Sequence, residues 1–96
     1  MKVVINKRYG GFGTSDEAKA LYTQYHRQIH NTDGKYKDYD TDRTDPILIR
    51  VVEELGERAN SIFSDLKIVE VPDDVEWTIK DYDGIEWVAE VHRTWE

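Results

Sequence analysis

The stretch "RYGGFGTSDE" at 8–17 holds the residue types that could bind a phosphate: a basic residue, a glycine-rich turn and a helix start. Backbone N–H groups at a helix N-terminus attract anions in many proteins. The spacing, however, matches neither G-x-G-x-x-G nor G-x-x-x-x-G-K-[ST]. Asp16 and Glu17 already complement the positive end of the helix and would repel a phosphate. The stretch therefore predicts a capped turn that places Arg8 and Tyr9, with Phe12 in the core.

Metal-binding and catalytic patterns are incomplete in this sequence. His26 and His30 have the i, i+4 spacing of zinc ligands on a helix, but Arg27 replaces the glutamate of H-E-x-x-H and no third ligand is evident. The serines and threonines form no G-x-S-x-G elbow, and no nucleophile stands beside a base in a known motif. We therefore expect no enzyme, no metal site and no cofactor.

An acidic repeat precedes the second helix. Asp38, Asp40 and Asp42 alternate like the start of an EF-hand loop. The sixth position is Arg43 where glycine is needed, and the twelfth is Ile49 where glutamate is needed, so the calcium motif fails. We expect a solvated acidic loop.

Composition limits the class of protein. The chain has 96 residues, no cysteine, 20 acidic against 13 basic residues and a net charge of −7. We expect one domain, 1–96, cytoplasmic, with no membrane contact, because the apolar run near the N-terminus is too short for a signal peptide. The acidity argues against direct nucleic-acid binding. It suits a basic protein partner or an acidic DNA mimic, although solubility is its commonest cause.

Hydrophobic periodicity predicts the elements before the hairpin. A strand is expected at 2–6, followed by a helix at 15–30 that Thr14 and Glu17 cap as a capping box. A polar loop then covers about 31–45. Asp45 and Pro46 start a second helix, which ends at Gly56 or frays to 60. A further strand is expected at 66–71.

The segments 75–80 and 85–91 alternate apolar and polar residues, which predicts a hairpin. A two-residue turn at Asp83 and Gly84 would set the two apolar series on opposite faces. A three-residue loop that includes Tyr82 pairs Ile79 with Trp87 and keeps them on one face, so we expect that loop. A helix over 85–95 also fits the spacing, but the tryptophans and valines favour strand.

These elements predict an α+β fold in the order β-α-loop-α-β-β-β. One mainly antiparallel sheet with both helices on one face is the simplest way to bury the apolar stripes of the helices.

The segments "YGGFGTSDEA", "RTDPILIRVVEELGERAN" and "LKIVEVPDDVEWTIKDYDGIEWVAEVHRTWE" resemble a group of short phage and prophage-borne proteins. The resemblance covers most of the chain except 31–42. It implies a small accessory protein that acts on a host component or protects the phage from host defence, and it brings no catalytic residues. Its anchors are Tyr9, Gly10, Gly11, Phe12, Asp45, Pro46, Asp83, Gly84, His92, Arg93 and Trp95.

Three functions follow as hypotheses. The first is a non-catalytic protein that sequesters or inhibits a host protein, with Tyr36 and Tyr39 or the acidic surface as contacts. The second is a binder of a nucleotide-like anion such as a defence signal, and the third is an acidic DNA mimic. The candidate binding residues are Arg8, Tyr9, Gly10, Gly11, Tyr36, Tyr39, His92, Arg93 and Trp95. Trp95 beside Arg93 could stack on a ligand or close one end of the core, and the oligomeric state, including a symmetric dimer, stays open.

Overall fold

A computed structural model describes residues 1–31 and 42–91. The predicted α+β class and element order are confirmed. Most of the predicted polar loop, and the residues after 91, lie outside the described residues. The elements are β1 (Lys2–Asn6), α1 (Asp16–His30), α2 (Pro46–Leu55), a 3-10 turn (Gly56–Ala59), β2 (Leu66–Glu70), β3 (Trp77–Tyr82) and β4 (Ile85–Glu90).

The four strands form two antiparallel two-stranded sheets instead of the one sheet that we expected. β1 pairs with β2, and β3 pairs with β4. The sequence of β1 explains the arrangement, because its central valines and isoleucine are buried on both faces of the strand. A strand covered on both faces needs an element on each side. The β1–β2 sheet is therefore the middle layer.

The two faces of β1 belong to two apolar clusters. Val4 packs with the helices, where Leu48, Val51 and Ala18 form the larger part of the core. Val3 and Ile5 point the other way and pack with Val71 and with the inner face of the hairpin. Both helices thus lie on one face of the β1–β2 sheet, as predicted, and the hairpin covers the other face.

The helix boundaries confirm one predicted cap and correct another. Ser15, not Thr14, caps α1, since the Ser15 hydroxyl accepts a hydrogen bond from the Ala18 N–H at 3.1 Å. Thr14 forms a β-bridge with Asn60, so the chain is still extended there. Asp45 caps α2 as predicted, accepting from the Ile47 N–H at 2.9 Å with proline in the first turn. α2 ends at Leu55, before the 3-10 turn.

The hairpin has the two-residue turn, so the expected three-residue loop is wrong. Asp83 and Gly84 have φ of 49° and 94°, the positive values of a type I′ turn. Ile79 therefore faces Val88, and Lys80 faces Trp87. The expectation failed because it required every apolar residue of β4 to point inward. Glu86 points inward instead, where its carboxylate pairs with the half-buried Arg43.

The register gives a direct test by substitution of neighbouring residues on β4. Val88→Glu places a carboxylate between the two sheets and removes apolar contacts with the Val3 and Ile5 cluster. We expect the free energy of unfolding to fall by about 2 kcal/mol or more. Ala89→Glu lies on the outer face, and we expect a loss of about 0.5 kcal/mol. Urea unfolding of both variants checks this, and the reverse ranking would contradict the observed register.

Candidate functional site

Asn6, at the end of β1, joins three loops. Its side chain is completely buried. The Nδ2 group donates to the carbonyl oxygens of Arg8 and Gly84, both at 2.7 Å. The Oδ1 atom accepts from the Asp65 N–H at 2.8 Å. One amide side chain thereby fixes the glycine-rich turn, the hairpin turn and the segment before β2 relative to each other.

A buried ion pair lies next to Asn6. The Asn6 N–H donates to Glu86 Oε1 at 2.8 Å. Arg43 binds the same carboxylate with two bonds, from Nη1 to Oε1 at 2.6 Å and from Nη2 to Oε2 at 2.9 Å. Glu86 is only 6% exposed, so the pair is largely shielded from water. A buried carboxylate is stable only when its oxygens are paired in this way.

Arg43 also contacts the elements around the pair. Its guanidinium lies 3.6 Å from the centre of the Phe12 ring, in the geometry of a cation–π contact. Its carbonyl oxygen accepts from the Val4 N–H at 2.9 Å, on the edge of β1 away from β2. The pair therefore links β4 with β1 and with the segment before α2. Phe12, which we expected in the core, is half-buried and packs against the helical core.

Gly10 and Gly84 allow the glycine-rich turn and the hairpin turn to approach each other closely. The Gly10 N–H donates to the Asp83 carbonyl oxygen at 3.1 Å. A Cβ atom at Gly84 would lie 2.2 Å from the Gly11 nitrogen, and one at Gly10 would lie 2.9 Å from the Phe63 Cβ. Gly10 and Gly84 also have positive φ, which side chains disfavour. These glycines pack the turns together, and the Gly10 N–H is already bound within the protein.

Four large side chains are exposed where these loops meet. Arg8 reaches the Ile62 carbonyl oxygen through Nη1 at 3.0 Å, which brings 8–11 next to 61–64. We name the exposed set at this end the loop-tip patch. It consists of Tyr9, Ile62, Phe63 and Tyr82, which are 60%, 80%, 63% and 67% exposed.

Comparison of the chain with family models, curated proteins and solved structures gives no match. The resemblance to short phage proteins therefore stays an expectation.

The structure brings together only part of the predicted site. Four predicted residues lie in or beside the loop-tip patch, namely Arg8, Tyr9, Gly10 and Gly11. The other five lie outside the described residues, namely Tyr36, Tyr39, His92, Arg93 and Trp95. Sequence reasoning missed Ile62 and Phe63, although two large apolar residues in the polar stretch "NSIFSD" are a signal for an exposed contact. We expected Tyr82 in the hairpin loop and did not include it among the candidate binding residues.

The candidate metal ligands have other contacts. The His26 and His30 rings lie 4.6 Å apart between centres, and His26 stacks on Tyr22. Asp42 accepts from the hydroxyl and the N–H of Thr44, and these bonds hold the pKa of Asp42 below its usual value. Within 1–31 and 42–91, no group of three or more histidine, aspartate or glutamate side chains could hold a metal ion. Asp38 and Asp40 lie outside the described residues.

No helix in the described ranges has the length and apolar character needed to cross a bilayer.

The docked turns predict a difference between two glycine substitutions. Gly84→Ala introduces a Cβ atom against the Gly11 backbone at positive φ, whereas Gly56→Ala meets no atom within 4 Å at a φ of 57°. We expect about 1–2 kcal/mol of destabilisation for Gly56→Ala from backbone strain alone. Gly84→Ala should cost clearly more, because the two turns must also separate. Thermal unfolding of both variants measures this, and equal losses would contradict the packing role of Gly84.

Proposed function

We propose that this chain is a non-catalytic binding protein that sequesters or inhibits a partner protein through the loop-tip patch. The observation that carries the proposal is the exposure of Tyr9, Ile62, Phe63 and Tyr82 on two loops and at the end of β3, which Asn6 and its neighbours hold together. Clustered exposed apolar groups on a small protein are typical of an interaction surface.

The residue types of the patch suit a protein interface. Tyrosine and phenylalanine are enriched in interface cores, where one aromatic side chain buries a large area with few rotatable bonds. Tyrosine also supplies a hydroxyl that can bond to the partner. A few such anchors contribute most of the binding energy in measured interfaces.

The rigidity of the loops adds to this argument. Loops that order only on binding lose conformational entropy at that step, which weakens the complex. Here the Gly10 N–H binds Asp83, and Asn6 binds the backbone on both sides of that contact. The patch is thus presented in a fixed arrangement before any partner arrives.

The wider context of the proposal comes from the sequence. The resemblance to short phage accessory proteins implies that the partner is a host component or a part of the host defence. The absence of cysteine supports a cytoplasmic location. The nucleotide-like ligand gains less support, because the Gly10 N–H that would face an anion already donates to Asp83. The DNA mimic requires an ordered stripe of acids, for which the described contacts offer no specific argument.

A capture experiment with matched variants tests the proposal. The tagged protein is incubated with host-cell lysate beside the variant Tyr9→Ser/Phe63→Ser and the control Ile29→Ser. Ile29 is 57% exposed on α1, away from the loops. We expect a stoichiometric complex with the wild type and the control. Loss of two anchors of about 2 kcal/mol each should weaken the complex at least about a hundredfold in the double variant.

Other outcomes contradict this assignment. Full retention of the partner by the double variant, together with loss in Tyr36→Ser/Tyr39→Ser, would move the contact to the polar loop. A nucleotide that raises the melting temperature, with the shift removed by Arg93→Ala, would favour the ligand hypothesis instead. Circular dichroism of each variant ensures that the compared proteins are folded.

A further inference from the structure

The outer edge of β2 presents backbone hydrogen-bonding groups away from β1. In an antiparallel pair, residues alternate between those bonded to the partner strand and those that face away. The Val4 N–H donates to the Arg43 carbonyl oxygen, so the backbone groups of Val4 point away from β2. The backbone groups of Ile68, which pairs with Val4, therefore point away from β1. The Leu66 N–H agrees with this, because it binds Asn60 Oδ1 on the outer side. By the same alternation, the N–H and C=O groups of Ile68 and Glu70 point outward.

Within the described part of the chain, β1 is the only strand that pairs with β2. β2 is therefore an edge strand. A free strand edge is a template for a further strand, and natural proteins either protect such edges or use them for binding.

An apolar groove lies beside this edge. It has a volume of about 430 Å³ and opens between β2 and the hairpin. Its apolar lining includes Val69, Val71, Val75, Trp77 and Trp87. Val69 on β2 and Val71 directly after it pack toward the hairpin. Since side chains of an added strand alternate between faces, every second one would point to this groove.

The rim of the groove is predominantly acidic. Glu70 and Glu90 line the groove, and Asp73 and Asp74 are exposed between the lining residues Pro72 and Val75. The cations nearby are Lys7, Lys67 and the amino group of Met1. The Met1 amino group lies 2.8 Å from Asp73 and 3.6 Å from Glu70 and offsets part of the acidic charge, whereas Lys67 lies 3.7 Å from Asp65. The acids of the rim still outnumber its cations. The rim therefore attracts basic side chains.

We propose that the edge of β2 binds an extended segment of a partner protein by strand addition, and that this segment carries alternating apolar side chains and flanking lysine or arginine. The backbone of the segment bonds to Ile68 and Glu70. Its apolar side chains enter the groove and its basic side chains meet the acidic rim. The charge argues against a second copy of this chain as the occupant, since each copy carries −7.

This binding surface goes beyond the loop-tip patch and needs none of its residues. The probe is a synthetic peptide, acetyl-Lys-Val-Thr-Val-Arg-Val-Lys-amide, titrated into the ¹⁵N-labelled protein. We expect amide shift changes centred on Ile68, Glu70 and the groove. An otherwise identical peptide with glutamate at the three basic positions should bind at least about tenfold more weakly, a difference of about 1.4 kcal/mol.

Two substitutions at the exposed Glu70 separate the contribution of its backbone N–H to peptide affinity from that of its carboxylate. Glu70→Pro removes the outward N–H without removing a bond to β1, whereas Glu70→Thr removes only the carboxylate. We expect Glu70→Pro to weaken the basic peptide several-fold more than Glu70→Thr does. If Glu70→Pro does not fold, amide exchange of the wild type replaces it, with slower exchange at Ile68 and Glu70 when the peptide is bound.

The proposal is overturned by equal affinity of the two variants, by shifts confined to the loop-tip patch, or by unchanged exchange at Ile68 and Glu70. Concentration-dependent dimerisation that protects the same two amides would show that a second copy is the occupant, and it would also overturn the proposal. Failure of the peptide to bind the edge of β2 would leave the result of lysate capture by Tyr9 and Phe63 unaffected, so the two proposals can fail independently.

Discussion

The bidentate contact between Arg43 and Glu86 is the interaction on which the rest of the structure depends. The 2.6 Å and 2.9 Å bonds place a carboxylate of the hairpin next to a guanidinium from the segment before α2. The same carboxylate accepts the N–H of Asn6, so the pair is also bonded to the end of β1. Removal of the guanidinium would leave the buried Glu86 carboxylate with the Asn6 N–H but without its charged partner, a change that in measured cases costs about 3–5 kcal/mol. The pair therefore specifies one arrangement of the hairpin on the β1–β2 sheet.

This arrangement explains how a small domain can keep the four side chains of the loop-tip patch exposed to solvent. Two separate two-stranded sheets have little stability alone. Here the inner face of the hairpin buries Trp77, Ile79 and Val88 against the middle layer, while Asn6 binds the hairpin turn. Hairpin packing and the bonds of Asn6 thus hold the loops of the loop-tip patch in place. The energy that orders these loops comes from folding, so the patch is already ordered in the free protein.

Local signals in the sequence were sufficient for most of the fold. Asp45 and Pro46 started α2 as expected, and the alternation around Asp83 and Gly84 predicted a hairpin. The register could not be obtained in that way, because the inward position of Glu86 depends on Arg43, which lies 43 residues away. The site was predictable to the same extent. Arg8 and Tyr9 stood out beside the glycines, but the bonds that join this turn to Ile62 and Asp83 connect distant parts of the chain and have no local signal.

A double-mutant cycle at the buried pair tests the central claim most directly. The four proteins are the wild type, Arg43→Met, Glu86→Gln and the double variant, since glutamine retains an acceptor for the Asn6 N–H. Urea unfolding gives the free energy of each. We predict that the losses of unfolding free energy in the two single variants sum to about 2 kcal/mol or more above the loss in the double variant. The reason is that each single change removes the partner of a group that stays shielded from water. Losses that add to within about 0.5 kcal/mol would contradict the claim that this pair holds the hairpin and the loops in place.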